Sequence, residues 1–176
     1  MRRIVHVGQH DPLAAPLLAE LAVEYSSRYG STVDEVRHDL TTYPADEFAP
    51  PGGDLLVVVE DDRPVAGGAF RRYDSDTAEL KRIWTARTHR RRGLARLVLA
   101  ELEAEIARRG YRRIFLTTGP RQPEAAALYN AAGYTPLPRD IQHEIGPLHP
   151  FEKYLAVAGV TRRSTATPAH RRHSVS

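Results

Sequence analysis

Cysteine is absent from the 176 residues. That excludes disulfide staples, thiolate metal sites and a cysteine nucleophile, and it suits a reducing cytoplasm, where the chain is expected. Long hydrophobic runs are missing as well. No stretch approaches the ~18 consecutive apolar residues of a membrane span, so no membrane partner is expected. The start, MRRIVHVGQHDPLAAPLLAEL, has a basic pair but lacks the continuous apolar region of a secretory signal. The excess of one charge is small: a net charge of +3 fits anionic ligands but does not by itself imply nucleic acid. There is no internal repeat. The eight histidines show no ligand spacing, and His170 with His173 reflects the composition of the C-terminal stretch, so no metal is expected.

What is present is globular in composition, 41% hydrophobic and 27% charged, and long enough for one domain with a sizeable core. The domain is expected over residues 1–158. The stretch TRRSTATPAHRRHSVS has one large apolar residue, Val175, too little burial to offset ordering, so residues 159–176 read as a disordered basic tail.

Local patterns give the elements. RRIVHVG alternates as a first strand. Leu17, Leu18, Leu21, Ala22 and Tyr25 stand at helical spacing, with Gly30 closing the helix. STVDEVRHDL opens on an N-cap candidate, Ser31 or Thr32. TTYPADEFAPPGG is a Pro/Gly-rich loop, followed by a hairpin over residues 55–59 and 65–73 that turns at Asp61-Asp62. TAELKRIWT is a further strand; its alternation puts Ala78, Leu80, Arg82 and Trp84 on one face and Glu79, Lys81, Ile83 and Thr85 on the other. GLARLVLAELEAEIARRG carries an apolar stripe and ends on Gly110. YRRIFLTT is a strand, PEAAALYNAAGY a short helix, and IQHEIGPL and FEKYLAV supply the last strands. This order predicts a mixed α/β layer fold.

Within it, HRRRGLARL stacks three arginines against a glycine, between a strand and an amphipathic helix. A helix amino end offers unpaired N–H groups and about half a positive charge, and Gly93 lets the backbone approach a ligand without an intervening Cβ. Strand, basic glycine turn, helix is a phosphate-binding arrangement. Other glycine motifs do not fit: no Gly-Lys-Ser/Thr follows, and no second glycine of a dinucleotide fingerprint precedes the helix.

Arg90-Arg91-Arg92-Gly93-Leu94-Ala95 resembles the [Gln/Arg]-x-x-Gly-x-[Gly/Ala] signature of the GNAT superfamily of N-acetyltransferases. AELKRIWT before it resembles the family's fourth strand, EAAALYNAAGY after it the family's Ala-x-x-Leu-Tyr-x-x-x-Gly-[Phe/Tyr] helix, and FEKYL its terminal strand. The resemblance implies a mostly antiparallel twisted sheet flanked by helices, with two splayed strands forming an acetyl-CoA cleft. It implies a pyrophosphate held by the arginine turn from Arg90 and Arg91 through Arg92, Gly93, Leu94 and Ala95 to Arg96. The pantetheine arm would run as an added strand along Ile83, Trp84 and Thr85. Gln122 stands where the family often has Asn, and Thr85 where Val is common.

The implied reaction is direct attack of a primary amine, of a small molecule or peptide, on the thioester. Such an amine, with pKa ~10.4, is about one part in a thousand neutral at pH 7, so a base helps. Main-chain N–H near Trp84 would receive the oxyanion. Tyr129 matches the family's general acid; the bland alternative is a core tyrosine beside Leu128. Glu79 is the base candidate, directly or through water; equally it is a strand carboxylate paired with Lys81 or Arg82. His143 and Glu144 stand in a strand expected at the border of the implied substrate pocket, where either is an alternative base and a surface role is the default; Tyr25, Tyr43 and Phe48 stand in the region that shapes the pocket, and Trp84 is read as core by default. Two rivals stay open: an acyl-CoA-binding sensor without catalysis, and a nucleic-acid module, against which the absence of a reader motif counts. A homodimer is also open.

Overall fold

The computed structural model describes residues 1–119, 122–138 and 148–156. Its centre is the hairpin of β2 (Asp54–Glu60) and β3 (Arg63–Arg72). Asp61 and Asp62 make its turn with φ of 49° and 64°, the left-handed pair whose twist matches the flanking strands. The other strands are β1 (Arg2–His6), β4 (Thr77–Thr85), β5 (Arg113–Thr118), β6 (Thr135–Pro136) and β7 (His149–Tyr154), in the order β1-β2-β3-β4-β5-β7-β6. Every neighbouring pair is antiparallel except β4–β5. The mostly antiparallel sheet expected from the sequence is therefore present.

Local chemistry sets the helix ends. α1 (Ala15–Tyr29) stops at Gly30, whose φ of 77° lets its N–H reach the Ser26 carbonyl. α2 (Val33–Thr42) starts at Thr32, which exchanges side-chain and backbone hydrogen bonds with Glu35 in a capping box. α3 (Leu94–Arg108) begins after Gly93, and α4 (Pro123–Ala131) begins on proline.

The sheet is covered on both faces. Val98, Leu99, Leu102 and Ile106 of α3 bury one face together with Leu56, Phe70, Leu80 and Ile114. Gly68 is what lets α3 sit this close: a Cβ there would come within 2.7 Å of Ile83 Cδ1 and 2.9 Å of Leu102 Cδ1. On the opposite face, Leu17, Leu18 and Leu21 of α1 pack on Trp84, and Phe48 packs with Leu55, Val57 and Ala69.

β4 departs from the alternation expected of it. Its register to β3 runs Ala69↔Lys81 and then Gly67↔Trp84, so Gly68 stands opposite two residues, Arg82 and Ile83. This is a bulge, with Arg82 at φ 61°. The extra residue reverses the faces beyond it. Ile83 joins Ala78 and Leu80 under α3, whereas Lys81 and Arg82 lie over Tyr43 on the α1/α2 side. Two-residue β6 was also not anticipated; it pairs with Phe151 and Glu152 of β7. Of IQHEIGPL only Leu148 is described, and the strand expected there, with His143 and Glu144, lies outside the described residues, as does the 159–176 tail.

Candidate active site

β4 and β5 pair only where Thr77, Ala78 and Glu79 meet Arg113, Ile114 and Phe115. Beyond Glu79 they separate, which leaves the β5-side edge of residues 80–85 without a ladder partner. A cavity of about 570 Å³ opens at that divergence. Ile83, Trp84 and Thr85 line it, together with Thr117 and Thr118 at the end of β5.

The arginine turn forms one wall. Arg91 has φ 64° and Gly93 φ 74°, so two left-handed residues bracket Arg92 and turn the chain sharply into α3. No side chain caps α3, and no acidic residue stands in its first turn, so among the described residues the N–H groups there have no side-chain acceptor. A Cβ added to Gly93 meets nothing within 4 Å: the space before it is open. Arg90, Arg91, Leu94, Ala95 and Arg96 line the cavity with it. Arg92 does not. Its Nη1 turns to Glu60 Oε2 at 3.9 Å, so of the expected phosphate-turn side chains this one faces away.

α4 forms the facing wall. Tyr129 is buried, lines the cavity and packs edge-on to Tyr134 at 5.5 Å. Among the described residues its hydroxyl has no hydrogen-bond partner, and burial pushes its pKa up, so at neutral pH it remains a proton donor. Gln122 lines the cavity at the start of α4; its Oε1 accepts the Gly119 N–H at 3.0 Å. Tyr25 of α1 faces the same space, its phenol pushed up to about 12, chiefly by burial. Arg28 pairs with Glu24 of its own helix and with Glu124 of α4, tying α1 to α4.

Trp84 is both core and lining: it packs in the α1 cluster, and its Nε1 donates to Glu20 Oε2 at 2.7 Å. Glu79 lies elsewhere. It is buried, accepts from Arg71 Nη1 at 2.9 Å, sits 4.0 Å from Lys81 Nζ, and does not line the cavity. The expectation that it shares a face with Ile83 fails because the bulge lies between them. Lining residues that the sequence did not single out for the site include Lys81, Arg82 and Thr118. Tyr43 and Phe48, expected at the acceptor pocket, stack at 5.1 Å beneath Arg82. Among the described residues no group of His, Asp and Glu is placed to hold a metal ion, and no helix is long and apolar enough to cross a membrane.

The profile of the acetyltransferase (GNAT) family matches residues 17–134, from α1 to the end of the α4 turn. The chain belongs to this family. It is a GNAT acetyltransferase whose splayed strands, arginine turn and tyrosine helix all fall inside the matched region. The uncharacterized N-acetyltransferase YsnE of Bacillus subtilis is 34% identical over 77 residues, 43% of this chain; the match spans about half, 51%, of that protein. A Klebsiella pneumoniae structure assigned as an acyl-CoA N-acyltransferase superposes with a TM-score of 0.70 at 25% identity, covering 89% of this chain and 99% of that one. Two others share the fold: the PaiA N-acetyltransferase of Thermoplasma acidophilum in complex with coenzyme A (TM-score 0.73, 14% identity, 88% and 99% covered) and a GNAT acetyltransferase of Elizabethkingia anophelis with acetyl-CoA bound (0.62, 15%, 88% and 98%).

Proposed function

We propose that the chain transfers an acetyl group from acetyl-CoA to a primary amine of a small molecule or peptide. One observation carries this reading: the uncapped amino end of α3, the unpaired edge of β4 and the Tyr129 hydroxyl open into a single cavity. The coenzyme A and acetyl-CoA present in two of the related structures support it.

The residues fit that donor. The free N–H groups behind Gly93, with Arg90, Arg91 and Arg96 beside them, suit a diphosphate. The unpaired edge over residues 83–85 suits the amides of an extended arm, and the Gln122 side-chain nitrogen has no partner among the described residues. When bound, acetyl-CoA supplies a thioester whose carbonyl carbon takes the amine nitrogen and whose sulfur leaves. Tyr129 gives its phenolic proton, or a strong hydrogen bond, to the departing sulfur. Main-chain N–H near Trp84, on the unpaired edge of β4, donates to the carbonyl oxygen as charge gathers there. Glu79, hydrogen-bonded by Arg71 and linked to the cavity through Lys81, takes the proton of the amine by way of water.

The test is thiol release from acetyl-CoA across a pH series, with and without primary amines, for the wild type and Glu79→Gln. Release that needs both protein and amine is expected, with the wild-type rise toward high pH displaced in the variant. Binding without amine-dependent release would make the chain a non-catalytic acyl-CoA-binding domain. An unmoved pH profile in Glu79→Gln would remove that carboxylate from the proton path.

A further inference from the structure

Arg82 is a buried cation with work left undone. Only 7% of it is exposed. Its Nη2 donates to the Leu40 carbonyl at 2.9 Å, and its guanidinium lies 4.8 Å from the Phe48 ring centre and 5.4 Å from that of Tyr43. Its Nη1 has no hydrogen-bond partner. Other partly buried arginines are matched with carboxylates: Arg71 with Glu47 and Glu79, Arg109 with Glu105 and Asp54, Arg113 with Glu152. Arg82 has none among the described residues. A desolvated guanidinium without an anion is costly, and sites of this kind are kept for a ligand that supplies the charge.

The backbone points the same way. Arg82 sits at the β4 bulge with φ 61°, a conformation that side chains with a Cβ seldom adopt. Without the bulge the strand alternation would put Arg82 on the α3 face. With it, the guanidinium lies over the Tyr43/Phe48 stack, and Arg82 and Lys81 both line the cavity. Tyr25 and Tyr129 line the same cavity as Arg82.

We propose that Arg82 binds the carboxylate of the acceptor, so that the amine acetylated here belongs to a small molecule of amino-acid type. This rests on the acetyl-transfer reading above. A single free guanidinium nitrogen with Lys81 beside it suits a monoanion; a phosphate dianion needs more donors than this end of the cavity offers. Lys81 adds charge on the approach, and the aromatic pair beneath holds the guanidinium plane.

The experiment is run on the whole chain. Acetyl-CoA binding is first established by calorimetry. Then kcat/KM is measured for the standard L-amino acids, for the amides of the best ones, for their decarboxylated amines, and for phosphoethanolamine. At least one amino acid is expected to turn over, and its amide to fall by about 100-fold, as when a site built for a charged partner loses it. Amine basicity works against this result, because the amide is the weaker base and has more neutral amine at a given pH. In Arg82→Gln the discrimination between acid and amide is expected to collapse, with acetyl-CoA affinity unchanged. Equal turnover of acid and amide, a preference for the uncharged amines or for phosphoethanolamine, or binding of acetyl-CoA with no turnover of any amino acid would each overturn the proposal. Absence of acetyl-CoA binding would instead bring down the transfer reading on which it stands. The wild-type comparison decides even if Arg82→Gln does not fold.

Discussion

Gly93→Asp is expected to abolish acetyl-CoA binding in a protein that still folds. The backbone at Gly93 has φ 74°, and beyond its two chain neighbours no atom of the described residues lies within 4 Å of the Cβ position, so the new side chain enters open space. Aspartate is among the residues that best tolerate this conformation. A negative charge at a helix amino end contributes about 0.3–1 kcal/mol, which offsets part of the backbone cost. The same geometry is ruinous for a diphosphate. The carboxylate occupies the place in front of the α3 N–H groups and repels the ligand. A loss of about 100-fold or more in Kd, roughly 2.7 kcal/mol, is expected by calorimetric titration. An affinity within about three-fold of wild type, in a variant of normal circular dichroism, would show that the pyrophosphate does not sit on this turn.

Tyr129→Phe is expected to slow the chemical step by about ten-fold or more, since general acid catalysis is typically worth 10²–10⁴-fold. The hydroxyl has no partner among the described residues, so its removal breaks no internal hydrogen bond. The ring keeps its packing on Tyr134 and Phe151. Stability should therefore change by less than the about 1 kcal/mol that losing a hydrogen bond costs. Single-turnover rates with a good acceptor are the right measure, because they isolate chemistry from product release. Acetyl-CoA affinity should stay constant. A wild-type rate in the folded variant would leave water as the donor and Tyr129 as a tyrosine that merely lines the cavity.

The parts of this site that could be read in the sequence are those whose signals are local. The Thr32 cap, the Asp61-Asp62 turn and the glycines at 30, 93 and 110 each announce their geometry within a few residues. The arginine turn and the tyrosine helix are continuous motifs, and the family resemblance they carry implied one cleft for both, with which their shared cavity agrees. The β4 bulge was not legible in the same way. One extra residue leaves perfect alternation on either side of it, and it depends on how Gly68 meets α3 rather than on any pattern in TAELKRIWT. That single residue moved Glu79 away from Ile83 and turned Arg82 toward the α1/α2 side. The contact that holds Arg82 spans 42 positions, to Leu40, and a separation of that length leaves no trace in periodicity. β6, with two residues, is too short to have a period at all.

The most direct test of the account is the thermal midpoint of the protein with and without acetyl-CoA. A ligand that binds only the folded chain at 100 times its Kd stabilises it by about 2.7 kcal/mol, which for a domain of this size is a rise of about 5–10 °C. The expected result is such a rise, reproduced by CoA and lost in Gly93→Asp. An unchanged midpoint at millimolar acetyl-CoA would contradict the assignment of the β4–β5 cleft as its binding site.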